Sequence, residues 1–235
     1  MKENDNVVVV IATYNEADTI GTILSALSDY VVVVVDDNSP DGTAAIAKSH
    51  GAHLILRPKK LGIKSAFFDG FREALTYNRM KYVVQMDAGL THSPGDVKRL
   101  VSIAIDTGSD LVIGSRFIDG IKIKGWRSFI SLGGSFLMRR VGLAGVTDST
   151  SGYRCWSRRA IKTMLNTSIK AKGFAFQLET LFYTHHRYHN TRETKIAYLL
   201  SNSSFRWRMV WEALKTWRFL LGEYWHFRQS ENTRY

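Results

Sequence analysis

Two runs of β-branched residues near the start of the chain restrict what it can fold into. Residues 7–11 are Val-Val-Val-Val-Ile, and residues 31–35 are five consecutive valines. Such runs are typical of strands that are buried on both faces. Between them, residues 17–27 repeat apolar side chains at helical spacing. A strand, a helix and a second strand in this order form a parallel unit, so we predict an α/β protein.

The alternation continues through the first half of the chain and loosens after residue 120. It predicts a doubly wound α/β sheet. Dinucleotide and P-loop enzymes are poor candidates, because no Gly-x-Gly-x-x-Gly follows the first strand and no Gly-x-x-x-x-Gly-Lys-Ser/Thr occurs. The further predicted strands are residues 53–56, 82–86, 110–114 and 195–200. The further predicted helices are residues 43–49, 62–77, 130–141, 158–165 and 176–186, with one more that starts at residues 93–96, and a polar loop spans residues 148–154.

Acidic residues stand where two of the predicted strands end. Asp36 and Asp37 follow the second strand, and Asp87 ends the fourth. In an open α/β sheet the crevice beyond the carboxyl ends of the strands is where ligands bind. A carboxylate there can hold a divalent cation against a nucleotide diphosphate. The alternative is that such acids only cap turns, and we expect this of one of the pair Asp36 and Asp37.

Positive charge is concentrated in the second half of the chain. The net charge is +11, and residues 121–172 contain eleven lysines and arginines but one acid, Asp148. Such a block indicates an anionic partner such as a phosphate or an acidic membrane face. The alternative is a solvated basic surface without a specific partner. No nucleic-acid-binding motif accompanies the charge, so we predict no nucleic-acid partner.

The sequence of the C-terminal segment is compatible with two locations and favours neither. Residues 205–227 interleave tryptophan and other aromatic residues with arginine and lysine. A basic, tryptophan-rich amphipathic helix suits a membrane interface, but the same stripe can pack on the rest of the protein. No window approaches about 18 apolar residues, so we expect no membrane-spanning segment. The single cysteine, Cys155, fits a reducing compartment.

Seven short segments then carry a resemblance to a known family. The chain resembles the inverting glycosyltransferases of family 2, which have the GT-A fold, a Rossmann-like mixed sheet with helices on both faces. Within that family it is similar to the polyprenol-phosphate (dolichol-phosphate) mannose or glucose synthases. The segments, in the family's order, are Thr13-Tyr14-Asn15-Glu16, the Val-Asp-Asp-Asn-Ser-Pro-Asp-Gly-Thr run at 35–43, Met86-Asp87-Ala88, Gly114-Ser115-Arg116-Phe117, Trp126-Arg127, Thr150-Ser151-Gly152-Tyr153-Arg154 and the Gly-Phe-Ala-Phe-Gln-Leu-Glu run at 173–179.

The resemblance implies a nucleotide-sugar site in the first half of the chain. Tyr14 would flank the base, Glu16 would accept a hydrogen bond from base or ribose, and Asp37 would recognise the base edge. Asp87 matches the first acid of the family's Asp-x-Asp, a ligand for Mg²⁺ or Mn²⁺. The expected nucleotide-sugar residues are Thr13, Tyr14, Glu16, Asp36, Asp37, Lys60 and Asp87.

The resemblance also implies an acceptor site in the basic half. Arg116, Arg127 and Ser131 match positions that hold the acceptor phosphate, since guanidinium groups bind phosphate in bidentate fashion. Gln177 and Glu179 would lie near the sugar or orient the acceptor loop; the alternative for Glu179 is an acid on a helix surface. The expected catalytic residues are Asp87, Arg116, Arg127, Gln177 and Glu179.

Three positions depart from the family's pattern near the expected metal. Gly89 replaces the second acid of Asp-x-Asp, and Thr91 stands where Gln or Ser is usual. Lys64 replaces a glycine close to the expected phosphates and could supply positive charge there. The departures leave open an altered donor, a mechanism that depends less on metal, or a protein that only binds.

We predict an enzyme that moves mannose or glucose from a nucleotide sugar, of the GDP-mannose or UDP-glucose type, to polyprenyl phosphate. It would act in the cytoplasm, peripherally on the membrane face, and some relatives also use a membrane-spanning partner subunit. The alternatives are a family 2 enzyme with a glycan or other soluble acceptor, and a catalytically silent GT-A protein. We expect a GT-A domain over residues 1–203, with a nucleotide-sugar half at 1–115 and an acceptor half at 116–203, and an amphipathic tail at 204–235.

Overall fold

The computed structural model describes residues 4–118, 126–197 and 207–232. Its strands are β1 (Asn4–Thr13), β2 (Tyr30–Asp36), β3 (His53–Leu56), β4 (Tyr82–Asp87), β5 (Leu111–Ser115), β6 (Arg154–Ser157) and β7 (Thr191–Lys195). Its helices are α1 (Ala17–Ala26), α2 (Thr43–Ser49), α3 (Ile63–Thr76), α4 (Asp96–Thr107), α5 (Trp126–Arg139), α6 (Arg158–Asn166), α7 (Phe176–Tyr188) and α8 (Trp207–Asn232), with a 3₁₀ turn at Gly173–Ala175.

The strands form one mixed sheet in the order β3-β2-β1-β4-β6-β5-β7. The pairs β3–β2, β2–β1, β1–β4 and β5–β7 are parallel, whereas β6 runs antiparallel to both β4 and β5. The antiparallel strand joins the half of the sheet built from the first four strands to the half built from β5 and β7. The mixed sheet of the predicted fold class is confirmed.

Helices cover both faces of the sheet, because successive side chains of β1 point to opposite sides. Val8 and Val10 enter an apolar core formed with α3, α6 and α7. Val9 and Ile11 enter a second core formed with α1 and α4. All four side chains are fully buried. The continuous β-branched run is therefore the central strand that its sequence predicts.

The elements predicted from the sequence are wrong at two strands. Residues 154–157 form β6, although the pattern predicts a polar loop up to Arg154. A strand of four residues whose first side chain is arginine has no periodicity to recognise. The last strand is Thr191–Lys195 rather than residues 195–200, because the polar segment pairs with β5 at the edge of the sheet. Residues 198–200 lie outside the described part of the chain.

The long C-terminal helix α8 has one buried and one exposed face. Leu220 is fully buried, and the Trp217 indole donates a hydrogen bond to the Leu137 carbonyl at 2.8 Å. Trp207, Trp211 and Trp225 are 68%, 64% and 63% exposed. Trp211 lies about one turn after Trp207, and Trp225 lies about five turns after Trp207, so the three side chains lie on one side of the helix. Among the described residues, no helix is long and apolar enough to cross a membrane.

Replacing Gly70 with alanine should destabilise the protein, because α3 lies directly on β1 at this point. A Cβ at Gly70 would come within 2.3 Å of Val10 Cγ1, and such overpacking costs about 1–3 kcal/mol. Gly133 provides the matched control: it is also helical, and no atom lies within 4 Å of its Cβ position. We expect Gly133→Ala to stabilise the protein by about 0.5–1 kcal/mol. Urea unfolding of both variants measures the difference, and equal stabilities would contradict this packing.

Candidate active site

The carboxyl ends of β2, β1 and β4 lie side by side and at the same level. Thr13 pairs with Asp36 across β1 and β2, and Ala12 pairs with Asp87 across β1 and β4. Ligands of open α/β sheets bind in the crevice beyond this edge. The register therefore brings the expected nucleotide-sugar residues together, although they come from distant parts of the chain.

Side chains of the turn after β2 accept hydrogen bonds from the turn after β1 and hold it in place. Both turns contain a non-glycine residue in the left-handed region, Asn15 with φ of 60° and Asn38 with φ of 63°. Three consecutive amides of the first turn donate to side chains of the second: Asn15 to Ser39 Oγ at 3.0 Å, Glu16 to Thr43 Oγ1 at 2.9 Å and Ala17 to Asp41 Oδ2 at 3.0 Å. Much of the Asp-Asp-Asn-Ser-Pro-Asp-Gly-Thr run therefore holds two walls of the crevice against each other.

Asp36 and Thr13 bond to each other inside the protein. Asp36 is fully buried, and its Oδ2 accepts hydrogen bonds from the Thr13 hydroxyl at 2.9 Å and the Ser39 hydroxyl at 2.6 Å. Its Oδ1 accepts the Ser39 amide at 2.7 Å. Both oxygens of Asp36 are thus occupied by the turn, which is the capping role expected of one acid of the pair.

Asp37 organises the loop that follows β3. Arg57 Nη1 lies 2.7 Å from Asp37 Oδ1, and the Gly62 amide donates to Oδ2 at 2.9 Å. The loop carries Lys60, whose ammonium lies 3.3 Å from the centroid of the Tyr14 ring. A cation over an aromatic face is attracted by the ring quadrupole. The structure therefore brings together two of the expected nucleotide-sugar residues, Tyr14 and Lys60, and it adds Arg57, which the motifs did not indicate.

Asp87 lies partly exposed at the edge, and His92 supports its turn. The Asp87 amide donates to His92 Nδ1 at 3.3 Å, which leaves the ring hydrogen on Nε2. Burial lowers the pKa of His92, with the charge of Asp87 acting in the opposite direction, so the ring is neutral at neutral pH. Its Nδ1 is 3.9 Å from Asp87 Oδ2 but carries no hydrogen to donate. The Asp87 carboxylate therefore gains no cation from His92.

Gly89, the position of the missing second acid, faces Glu16. A Cβ at Gly89 would lie 3.7 and 3.8 Å from the two carboxylate oxygens of Glu16. The Thr19 hydroxyl donates to the Ala88 carbonyl at 2.7 Å and so ties the first turn of α1 to this segment. Burial raises the pKa of Glu16; a hydrogen bond from Thr19 opposes the shift, and the negative charge of Asp87 adds to it.

The donor set at this edge fits a divalent cation that is shared with a bound ligand. Mg²⁺ is commonly held by one or two carboxylates together with substrate phosphates. Across residues 4–118, 126–197 and 207–232, no three histidine, cysteine, aspartate or glutamate side chains form a metal cage. Asp87 and Glu16 supply hard oxygen atoms, so the expected Mg²⁺ or Mn²⁺ fits here only with further oxygen atoms from a nucleotide diphosphate.

Gly152 and Gln177 lie beside Asp87. A Cβ at Gly152 would lie 3.4 Å from Gln177 Nε2 and 3.8 and 3.9 Å from the Asp87 oxygens. The absence of a side chain at Gly152 therefore keeps a space open between these groups. Gln177 is only 1% exposed, and its Oε1 has no hydrogen-bond partner within the described structure. An unsatisfied buried amide is costly, so a ligand that bonds to it would be stabilised.

Arg154 ties the loop before β6 to α7. Its fully buried guanidinium donates to the carbonyl groups of Ser149, Ser151 and Gln177 at 2.8–2.9 Å and to the Thr180 hydroxyl at 3.2 Å. Burial lowers the pKa of Arg154 to about 9, which leaves it charged at neutral pH. Because these bonds span the loop and the helix, Arg154 sets the distance between the two.

Arg116, expected to bind the acceptor phosphate, is held by Asp148. Its Nε and Nη2 donate to the two Asp148 oxygens at 2.7 and 2.6 Å in a bidentate pair. The Asp148 amide in turn donates to Glu193 Oε1 at 2.8 Å, and burial raises the pKa of Glu193. Sequence analysis did not assign a role to either acid. Asp148 could have been singled out from the sequence, because it is the sole acid in residues 121–172, which contain eleven basic residues.

Glu179 fixes the loop at residues 169–172, which precedes α7. It is fully buried, so the alternative of a helix-surface acid is wrong. Its carboxylate accepts the amides of Lys170 and Ala171 at 2.9 and 2.6 Å. From the other side, the Lys64 ammonium donates to the Ile169 carbonyl at 2.9 Å. The loop at residues 169–172 is therefore fixed to both α7 and α3.

Several residues of the basic block serve the fold. Arg158 donates to three backbone carbonyls at and after the end of α3, where cations are favourable. Arg159 pairs with Asp110. The side chains of Arg127 and Ser131, both expected at the acceptor phosphate, lie outside the described part of the structure, which gives the backbone of α5 alone there.

Residues 8–165 match the model of the family described as Glycosyl transferase family 2. The chain belongs to this family. Two curated proteins are similar to this family 2 glycosyltransferase over most of their length. The polyprenol monophosphomannose synthase of Mycolicibacterium smegmatis is 31% identical over 76% of this chain and 72% of the relative. The undecaprenyl-phosphate mannosyltransferase of Micrococcus luteus is 37% identical over 76% of this chain and 77% of the relative.

Solved structures share the fold of this glycosyltransferase at low sequence identity. Glucosyl-3-phosphoglycerate synthase from Mycobacterium tuberculosis, solved with Mn²⁺ and uridine-diphosphate-glucose, has a TM-score of 0.71 at 21% identity, covering 92% of this chain and 79% of that chain. Mannosyl-3-phosphoglycerate synthase from Rubrobacter xylanophilus has a TM-score of 0.67 at 18% identity, covering 96% and 75%. The predicted GT-A fold, family and transferase class are confirmed.

Replacing Arg154 with alanine should destabilise this glycosyltransferase strongly. The change leaves three buried carbonyl groups and one hydroxyl without their donor, so we expect a loss of about 3–5 kcal/mol. Arg139→Ala, at an exposed arginine of α5, should stay within about 0.5 kcal/mol of the wild type. Urea unfolding measures both variants. A loss of less than about 1 kcal/mol for Arg154→Ala would show that other bonds hold the loop to α7.

Proposed function

We propose that this glycosyltransferase moves a hexose from a nucleotide sugar to the phosphate of a polyprenyl phosphate, with inversion at the sugar carbon. The observation that carries the proposal is the pair of curated relatives, at 31% and 37% identity, whose names both specify a polyprenyl phosphate type of acceptor. Both names also specify mannose, which favours mannose over glucose as the transferred sugar. The arrangement of the carboxyl edge supports each half of this reaction.

The nucleotide sugar would lie along the carboxyl ends of β2, β1 and β4. Tyr14 and Lys60 already contact each other there and present an aromatic face and a cation to a nucleotide. Asp37 supports the Lys60 loop and would recognise the edge of the base. Asp87 would hold Mg²⁺ or Mn²⁺, which when bound neutralises charge on the departing diphosphate. Thr13 and Asp36 would then act by fixing the turns.

The acceptor would approach from the basic half. An oxygen of its phosphate attacks the anomeric carbon of the sugar from the side opposite the diphosphate. The new bond forms as the bond to the diphosphate oxygen breaks, and the electron pair leaves with the nucleotide. Because a phosphate oxygen is already anionic at neutral pH, no strong base is required, and positioning and charge compensation supply the catalysis.

Three groups would position the acceptor and the sugar. Asp148 orients the Arg116 guanidinium through two hydrogen bonds, which presents a planar cation to an incoming phosphate. The buried Gln177 amide would bond a sugar hydroxyl. Glu179 keeps the loop at residues 169–172 in place. Arg127 and Ser131 remain proposed phosphate ligands from the family pattern.

Membrane association would use the exposed face of α8. Trp207, Trp211 and Trp225 lie on one side of this helix, opposite the buried Leu220. Tryptophan favours the membrane–water interface, where its ring lies at the level of the headgroups. Lys215 and Arg218 are exposed on the same helix and complement anionic lipid headgroups. We therefore propose a peripheral location on the cytoplasmic membrane face.

Incubation with labelled GDP-mannose or UDP-glucose, polyprenyl phosphate and Mn²⁺ should yield an organic-extractable, lipid-linked sugar. Asp87→Asn should lower the rate by at least about 100-fold, because it weakens the hold on the cation that would neutralise the departing diphosphate. Asp29→Asn, an exposed acid before β2 at the opposite edge of the sheet, should leave the rate unchanged. Release of labelled product is measured by partition and scintillation counting.

Two results would contradict the proposal. If no donor gave a lipid product, the acceptor assignment would be wrong; transfer to a soluble phosphate or glycan in the same screen would identify the alternative acceptor class. If lipid product formed at the normal rate with Asp87→Asn, the placement of the diphosphate at this edge would be wrong.

The exposed tryptophan face should be needed for liposome binding. We expect the double variant Trp211→Gln/Trp225→Gln to lose at least about 10-fold in affinity for anionic vesicles, since each tryptophan contributes more than about 1 kcal/mol of interfacial burial. The matched control, Leu56→Gln/Ile105→Gln, removes two exposed apolar side chains at 57% and 51% exposure in other elements. Flotation measures binding. Equal binding of both double variants would exclude this face as the lipid contact and direct attention to a partner protein.

A further inference from the structure

Glu16 and Asp87 place two carboxylates at the carboxyl edge of the sheet. Glu16 stands in the turn after β1 and Asp87 at the end of β4, and the two strands are neighbours. The Glu16 oxygens lie 3.7 and 3.8 Å from the position of a Cβ at Gly89, two residues after Asp87 in the segment that leaves β4. The bond from Thr19 to the Ala88 carbonyl holds the turn after β1 against this segment.

Neither carboxylate has a cationic partner among the described residues. The Thr19 hydroxyl lies 3.2 Å from Glu16 Oε2 and 2.7 Å from the Ala88 carbonyl, so a neutral hydroxyl rather than a cation faces the Glu16 carboxylate. His92 faces Asp87 through a nitrogen that accepts a hydrogen bond. Two acids at the ends of neighbouring strands, without a cationic partner among the described residues, complement a bound cation.

A second, independent observation indicates that this space receives a ligand. Gln177 is 1% exposed, its Oε1 has no partner within the described structure, and its Nε2 lies within 3.4 Å of the point above Gly152 that the Asp87 oxygens also face. The Gln177 side chain therefore borders the space that the Asp87 oxygens face, and its Oε1 is a buried acceptor without a partner among the described residues. The site is therefore built from three elements rather than from acids alone.

We infer that Glu16 is the second protein ligand of the divalent cation, and that it replaces the acid missing at Gly89. The inference rests on the proposed function insofar as nucleotide diphosphate oxygens complete the coordination. Glu16 would then bind the metal rather than the base or ribose that the family resemblance implies. An aspartate at position 89 would extend into the space that the Glu16 carboxylate already occupies, so one acid at either position is sufficient.

Binding of Mn²⁺ tests the inference without any transfer reaction. The free Mn²⁺ signal in electron paramagnetic resonance gives the dissociation constant of the full chain in the presence of UDP or GDP. Glu16→Gln should weaken Mn²⁺ binding at least about 10-fold, and Asp87→Asn should do the same. Asp18→Asn, an exposed acid in the first turn of α1, should have no effect. Adding Gly89→Asp to Glu16→Gln should restore binding.

Rescue by Gly89→Asp distinguishes the loss of a metal ligand from a loss of folded structure. If Glu16→Gln binds Mn²⁺ as tightly as the wild type, or if the wild type binds no Mn²⁺ with either nucleotide, the inference is wrong. If Glu16→Gln loses binding and Gly89→Asp does not restore it while the thermal midpoint is unchanged, Glu16 is not acting from the position of the missing acid. A lipid product that forms at the normal rate in Glu16→Gln would leave the proposed function standing and overturn the inference alone.

Discussion

A single buried guanidinium ties the loop before β6 to α7 in this glycosyltransferase. Arg154 begins β6, the antiparallel strand between β4 and β5, and it donates to three carbonyl groups and a hydroxyl rather than to a carboxylate. A buried charge is tolerated only when its donors are satisfied, so the surrounding backbone has little freedom to move. That constraint places Gly152 beside Asp87 and Gln177 behind it. The space between Gly152, Asp87 and Gln177 therefore depends on a fully buried residue.

The nucleotide side depends on strand register instead. β1 pairs in parallel with β2 and β4, so the three turns that follow these strands emerge at one edge. Side chains of the second turn then bond to amides of the first. Most polar groups in this region are used to hold the crevice in shape, and few are left to face a ligand: Tyr14, Glu16, Lys60 and Asp87. A rigid scaffold of this type keeps reacting groups in position, which is how positioning contributes to catalysis.

The parallel core and the site edge could be predicted from the sequence, whereas the arrangement of the second half of the chain could not. The valine runs of β1 and β2 are long and continuous, and the strand-end acids follow from them directly. β6 was missed because its four residues begin with a charged side chain, whose burial depends on bonds to the preceding loop and to α7. The same limit applies to Asp148, whose bond to Arg116 spans 32 residues, and to Glu16, whose proximity to Gly89 depends on the neighbouring strand. Local sequence patterns specify which helices and strands form. Contacts with residues distant in the chain decide which charged side chains form hydrogen bonds inside the protein and which face the site.

The central claim is that a nucleotide sugar binds along the carboxyl ends of β2, β1 and β4. Hydrogen–deuterium exchange of the full chain, with and without GDP-mannose or UDP-glucose in the presence of Mn²⁺, tests it most directly. The account predicts slower exchange in peptides that cover residues 13–19, 36–43 and 87–93, and no change at residues 27–31 and 77–82 at the opposite edge. Protection at the opposite edge, or none with either donor, would contradict it.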